Sequence, residues 1–394
     1  MRIAIDAVGI RMGGGVVLLE QLLAGLPPCL PQAEWRVFIL PGILPGDAPC
    51  WREPSGCRQI NFEPIGHAGG LGERLHWVNH RLPQKLAAMD ADVLLAFANV
   101  ASAAPPVPQV VYCHQPNAFL EEGIRHANPL LRARLRGLRW LILRGALASR
   151  QVIVQTAALK TRMMALAPRL QGRICVIPPP CRKGDAGSAP SARLQQAMSE
   201  LPRPRVLYVA RPSIHKNHER LIAALPRLLK AYPQARLLLT VGKNEMPHDR
   251  GYAGTLERVF AAARASGAEG SIAWLGILTP DEVAFALRHS DVMAFPSLSE
   301  SFGLPLAEAM TEGCPLAAAD LPYAREVAGP AAAYFDPWNP ASIAATLLSV
   351  LEEGQLRGQL IAQGLRRAEL FSPERVCRQL AGVLQAAAAE AACA

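Results

Sequence analysis

Two glutamates, Glu300 and Glu308, flank the run Phe302-Gly303-Leu304-Pro305. Carboxylates accept hydrogen bonds from vicinal hydroxyls, which a ribose and a hexose both offer. The run follows an apolar stretch at 292–295 and leads into a helical stretch from Pro305 to Glu312. Proline suits the start of a helix because its missing N–H needs no partner there. The amides of Phe302, Gly303 and Leu304 are then free to face an anion, which the positive end of that helix also stabilises. Gly303 lets a ligand approach the backbone closely. Without the intervening turn, two solvated glutamates at a strand–helix junction would be the simpler reading. With it, the pair addresses one bound molecule from two sides.

Upstream, an apolar run at 205–210 ends in Arg211, and Lys216 follows just before the next helical stretch. Two cations at a strand end are placed to hold a diphosphate. Negative charge that builds on a leaving diphosphate is stabilised by such fixed cations. Near the start of the chain, Gly13-Gly14-Gly15 precedes an apolar helix and lets backbone amides reach a phosphate or sugar. It is not a dinucleotide fingerprint, because Leu18 stands where the third glycine would be required. His114 comes directly after the apolar run 109–113, where a side chain points beyond the strand edge. Asp90-Ala91-Asp92 spells a D-x-D metal motif but bridges a helix and a strand as a polar turn does. His76 and His80 share a helical face, with no third ligand beside them. No metal site is expected.

These residues need elements to carry them. Apolar runs at 2–6, 35–40, 93–97, 109–113, 151–154 and 174–177 alternate with helical stretches at 16–26, 72–89, 129–149 and 158–166. Buried runs alternating with helices are the sequence form of a parallel, doubly wound sheet. Pro178-Pro179-Pro180 ends that pattern, and 181–204 mixes Gly, Ser, Pro and charge as an interdomain linker does. Alternation then resumes, with strands expected at 205–210, 235–240, 272–275, 292–295, 315–318 and 332–335. The expectation is an α/β chain of two domains, 1–180 and 181–372, with a last helix at about 373–390 returning to the first.

The segment Ser299-Glu300-Ser301-Phe302-Gly303-Leu304-Pro305-Leu306-Ala307-Glu308-Ala309-Met310 resembles the E-x7-E signature of the family 4 retaining glycosyltransferases. Gly313-Cys314-Pro315, Arg325-Glu326-Val327 and Tyr334-Phe335-Asp336-Pro337 continue the resemblance, which covers the second half closely and the first half loosely. It implies the GT-B fold, two Rossmann-like domains facing each other across a deep cleft. The first would take the acceptor and the second a UDP- or GDP-linked sugar, with no metal required.

By that likeness Glu308 would bind the ribose, and Glu300 would hold hydroxyls of the donor sugar. The amides from Phe302 to Leu304 would approach sugar and phosphates, with Arg211 and Lys216 on the diphosphate. Ala210 stands where relatives often carry glycine. The loop Gly13–Gly15 would approach the donor from the opposite wall, and His114 would contact the sugar near the reaction centre without acting as base. In such transfer the leaving phosphate takes the acceptor proton on one face of the sugar. The implied activity is transfer of a hexose such as mannose to a glycan or lipid-linked acceptor, in assembly of a cell-surface polysaccharide such as O-antigen or lipopolysaccharide. An epimerase or hydrolase of nucleotide-sugars and a catalytically silent scaffold are the other readings left open.

The rest of the composition is compatible. The 394 residues are 51% hydrophobic and 19% charged, which suits two globular domains. No run is long and apolar enough for a membrane span, no signal peptide opens the chain, and the nine cysteines form no C-x-x-C pair. These features suggest a protein of the reducing cytoplasm. A formal charge of +9 suits anionic partners. Nucleic acid is not expected among them, because no such module is present and Trp140 and Tyr208 do not cluster. Segment 125–150 carries seven arginines among Leu, Ile and Trp140. It reads either as a basic amphipathic helix on an anionic membrane, at the inner face of the plasma membrane, or as a solvated helix face.

Overall fold

The computed structural model describes residues 1–10, 14–43, 60–66, 70–97, 99–114, 118–119, 129–185, 187, 189–242 and 250–392. The chain divides into two compact units, Met1–Pro180 with Phe371–Ala394, and Cys181–Leu370.

In the first unit the described strands are β1 (Arg2–Asp6), β2 (Glu34–Ile39), β3 (Ile60–Pro64), β4 (Val93–Ala96), β5 (Gln109–Cys113), β6 (Gln151–Val154) and β7 (Ile174–Val176). They form one parallel sheet in the order β3-β2-β1-β4-β5-β6-β7. Ile3 lies opposite both Trp35 and Val93, which fixes the central register. Alternate side chains of a strand point to opposite faces, and both faces here are covered. Ile3 and Ile5 pack on one side with Leu19, Leu22 and Leu26 of the helix Gly14–Cys29 and with Val376, Leu380 and Leu384 of the helix Pro373–Ala392. Ala4 packs on the other side with Trp77, Leu82 and Leu86. Near β5 and β6, Val111, Val152 and Val154 pack with Ile142 and Ala146 of the helix Pro129–Leu147.

In the second unit β8 (Arg205–Tyr208), β9 (Arg236–Leu239), β10 (Ile272–Trp274), β11 (Val292–Phe295), β12 (Leu316–Ala319) and β13 (Ala332–Phe335) make a second parallel sheet, ordered β10-β9-β8-β11-β12-β13. Strands β8, β11 and β12 are buried along their whole length. Their continuous apolar runs follow from having helices on both faces.

Each sheet reverses its direction of winding once, between β1 and β4 in the first unit and between β8 and β11 in the second. At such a switch point the loops leaving two neighbouring strands diverge to opposite faces. The space outside the carboxyl ends of those strands is where open α/β sheets bind ligands.

Three expectations need correction. The single helix read over 72–89 is two short helices, Leu71–His76 and Leu82–Ala88, separated by a π-turn at Trp77–Arg81. Pro83 has no N–H to give, so the helical ladder is interrupted there, and Leu82 N–H bonds back to the Trp77 carbonyl instead. The stretch 181–204 is a packed part of the second unit. Its helix Ala192–Glu200 buries Leu194 and Met198, Gly184 N–H donates to Glu312 at 2.7 Å, and Ser191 Oγ donates to Glu282 at 2.5 Å. Finally, β8 ends at Tyr208, leaving Val209 and Ala210 in the loop that follows. Among the described residues no helix is long and apolar enough to cross a membrane. The six described cysteines are free thiols.

Candidate functional site

The chemistry-bearing residues of the second unit gather at its switch point. The loop after β8 runs through Arg211 to a short 3-10 turn, Ile214–Lys216, and the loop after β11 runs through Glu300 to Gly303. Because β8 and β11 pair directly, both loops leave the same sheet edge side by side. Backbone and side chains tie them together. Leu298 N–H donates to the His215 carbonyl at 2.7 Å, and Lys216 Nζ donates to Glu300 Oε1 at 2.5 Å.

Glu300 Oε1 also accepts from Ser297 Oγ at 2.6 Å, while Tyr323 OH donates to the Ser297 carbonyl at 2.6 Å. Burial holds the Tyr323 phenol well above its ordinary value, so it remains a donor. The Lys216 ammonium has three N–H groups, one of which engages Glu300, leaving two directions for a further acceptor. Burial pushes the His215 imidazole down to about 4, with the Lys216 charge adding to the fall, so the ring beside that ammonium is neutral at ordinary pH.

Asn217 fastens this arrangement. It sits in the left-handed region at φ 60°, fully buried, and its Nδ2 donates to the Pro296 carbonyl at 3.1 Å and the Pro337 carbonyl at 2.8 Å. Asparagine tolerates that backbone conformation better than most residues. One amide therefore joins the loops after β8, β11 and β13.

The helix Leu304–Thr311 begins after Gly303, with Pro305 in its first turn. Gly303 has φ +86°, and a Cβ there would lie 3.2 Å from Leu306 Cδ1 and 3.3 Å from Phe295 Cε1. Glycine is thus favoured by the backbone angle, and a Cβ there would also crowd these two side chains. The Phe302 side chain is buried in the core, so only its backbone is available for a ligand.

Glu308 projects from this helix half-buried. Burial pushes its carboxyl up to about 7, and neighbouring Glu312 adds to the rise. Glu312 is itself paired with Arg288 at 2.6 Å. For the Glu308 carboxylate no hydrogen-bond partner is found among the described residues. A half-buried carboxylate without donors is an acceptor available to hydroxyl groups. Arg211 is half-buried in the β8 loop, on the same sheet edge as Lys216.

In the first unit, His114 follows β5, and Asn99 follows its neighbour β4. Asn99 lies at φ 65°; its Oδ1 accepts from His114 N–H at 2.7 Å, and its Nδ2 is 3.1 Å from His114 Nε2. Burial lowers the imidazole to about 4, so it is neutral at ordinary pH. Its Nδ1 is buried with no partner among the described residues. Gly14 and Gly15 open the helix Gly14–Cys29 at the end of the β1 loop, and Gly13 lies outside the described residues.

The model of the family described as "Glycosyl transferases group 1" matches residues 194–367, nearly the whole of the second unit. This unit is a group 1 glycosyl transferase domain. The chain is 32% identical over 168 residues to a phosphatidyl-myo-inositol mannosyltransferase of Mycolicibacterium smegmatis, covering 42% of this chain and 40% of that one. It is 32% identical over 111 residues to the O-antigen chain mannosyltransferase B of Escherichia coli, covering 28% of this chain and 29% of that one. The chain thus spans less than half the length of these curated relatives. In fold the likeness extends to both units. The sucrose-phosphate synthase of Thermosynechococcus elongatus matches with a TM-score of 0.74 at 19% identity, over 98% of each chain. Both units are Rossmann-like, as the GT-B fold requires.

Within the group 1 domain, then, Arg211, Lys216, Glu300 and Gly303 lie in loops that leave one sheet edge, Leu304 and Glu308 lie on the helix that follows, and Lys216 and Glu300 are in direct contact. His114, Gly14 and Gly15 belong to the other unit. Sequence reasoning missed Asn217, Ser297 and Tyr323. Asn217 left a readable trace, an asparagine between Lys216 and a helix start, where a left-handed residue is common. Ser297 and Tyr323 left none, because their contacts depend on how β11 and the helix Pro322–Ala328 pack. The two rejected motifs have structural roles or neighbours. Asp92 Oδ2 accepts from Arg2 N–H at 2.6 Å and Asp90 pairs with the Arg2 side chain at 3.0 Å, so both hold the start of β1. His76 and His80 are exposed, with ring centroids 5.2 Å apart.

Proposed function

We propose that this chain is a retaining glycosyltransferase that moves a hexose from a nucleotide diphosphate-sugar, UDP- or GDP-linked, to a glycan or lipid-linked acceptor. The observation that carries the reading is the cluster at the β8/β11 switch point. A lysine already shared with Glu300 stands there beside the start of a helix whose Glu308 has no partner among the described residues. A diphosphate between Lys216, Arg211 and the amides at Gly303 and Leu304 meets positive charge on each side. That charge grows in value as the sugar–phosphate bond breaks and the diphosphate departs. Glu308 accepts from ribose hydroxyls and Glu300 from hydroxyls of the sugar. The half-buried, neutral His114 and the glycines Gly14 and Gly15 are assigned to sugar recognition on the first unit. His114 Nδ1 offers the unsatisfied polar atom for it.

Mannose is the favoured sugar, since the two relatives named above are mannosyltransferases, and one of them acts on O-antigen chains. A cell-surface polysaccharide such as O-antigen is the corresponding product, and no metal is assigned a role. The test is incubation with α-linked GDP-mannose or UDP-hexoses, with and without bacterial lipid-linked glycans, followed by NMR of the anomeric proton. Transfer with an α-linked product is expected. A β-linked product would refute retention, and consumption of the donor at the same rate without acceptor would show a hydrolase or epimerase instead.

A further inference from the structure

The helix Pro129–Leu147 of the first unit carries five arginines, Arg132, Arg134, Arg136, Arg139 and Arg144, and no acidic residue. Its inner side is docked. Ile142 and Ala146 are buried against Val111, Val152 and Val154, and Gly145 lies so close to Ala101 that an added Cβ would meet it at 3.0 Å. Positions 133, 136, 137, 140, 144 and 147 recur at helical spacing and form one face. All six are exposed. This outward face presents Trp140, 59% exposed, between Arg136 and Arg144, with Leu147 beyond Arg144 at the carboxyl end and Leu130 at the amino end, 82% exposed. The Arg144 guanidinium lies over the Trp140 ring, 5.4 Å from its centroid.

We propose that this face docks on an anionic phospholipid surface. Two properties occur together here that a merely solvated helix does not need: a one-sign charge along the helix, and large apolar side chains held outward amid that charge. Arginines meet lipid phosphates. Tryptophan places an apolar ring with a polar N–H at the depth where headgroups give way to acyl chains. Leu130 and Leu147 gain from burial in acyl chains and gain nothing from the phosphates of a nucleic acid, which favours lipid over nucleic acid as the occupant. The helix then lies in the plane of the interface rather than crossing it.

The experiment is cosedimentation of the full chain with vesicles of equimolar phosphatidylglycerol and phosphatidylcholine, and with phosphatidylcholine alone. A second measurement is quenching of tryptophan emission by brominated lipid. Binding to the anionic vesicles alone is expected, weakening as salt rises. Each arginine near an anionic surface strengthens binding about fivefold, so Arg136→Gln with Arg144→Gln should weaken it about twenty-five-fold. Both side chains are exposed, so the variant retains its fold. Bromolipid quenching should be present in the wild type and lost in Trp140→Phe. The proposal is overturned by equal sedimentation with neutral vesicles, by no binding, or by quenching unchanged in Trp140→Phe. It is equally overturned if duplex DNA binds with the same arginine dependence while anionic vesicles do not. None of these measurements requires donor or acceptor, so they stand apart from the test of transfer.

Discussion

Replacing Glu308 by glutamine should make the second unit more stable at pH 8, an unusual result for a site residue. Burial raises this carboxyl from the ordinary 4.5 to about 7, with Glu312 contributing. Below pH 4.5 the group is protonated whether the chain is folded or not, so it favours neither state. As pH rises the unfolded chain ionises first, and the folded state loses ground until it too ionises near pH 7. At about 1.36 kcal/mol per pH unit the full loss would be about 3 kcal/mol. The side chain is half-buried, so solvent screening reduces this to about 1–2 kcal/mol. Glutamine keeps the shape without the charge. Thermal unfolding of Glu308→Gln should therefore lie above wild type by about 3–6 °C at pH 8, and the two should converge near pH 4.5. A variant equal to or less stable than wild type at pH 8 would refute the reasoning, because it would mean that the carboxylate is held by favourable donors.

Two further outcomes concern the frame. Gly303→Ala should destabilise the second unit by about 1–2 kcal/mol, since its φ of +86° is a left-handed conformation that a Cβ disfavours. Urea melts would measure this, and an unchanged midpoint would show that the turn relaxes freely. Asp6→Ala should destabilise the first unit by about 3–5 kcal/mol, because it strands a buried guanidinium. Arg74 donates twice to Asp6, at 2.9 and 2.6 Å, and Asp6 also accepts from Trp77 Nε1 at 3.0 Å. The double variant Asp6→Ala with Arg74→Met should recover part of the loss, and a single variant as stable as wild type would contradict the account.

Most strands of both sheets were legible because a strand buried on both faces is an unbroken apolar run, and 292–295 and 109–113 read that way directly. The edge strand β3, Ile60–Pro64, was missed because it is largely exposed and carries no such run. The turn at Gly303 was legible because its residue types each meet a local need: a glycine for the left-handed angle and a proline for the helix start. Long-range polar contacts were not. Asp6 and Arg74 lie far apart in sequence, and nothing near either residue announces the other. The packed state of 181–204 was hidden for a related reason. A segment rich in Gly, Ser and Pro looks like a linker, yet Gly184, Ser191 and Arg193 are held by Glu312, Glu282 and the Leu275 carbonyl. The π-turn at Trp77–Arg81 was foreshadowed only by Pro83, which signals a break without saying how the chain absorbs it.

The central claim is that the group 1 domain grips a diphosphate with Lys216 and a ribose with Glu308. Calorimetric titration of the full chain with GDP-mannose and UDP-glucose, repeated on Lys216→Ala and Glu308→Gln, tests it most directly. One of the two nucleotide-sugars should bind the wild type, and each variant should bind it at least about tenfold more weakly, the loss of one charged hydrogen bond. Equal affinity in wild type and both variants, or no heat with either ligand, would contradict it.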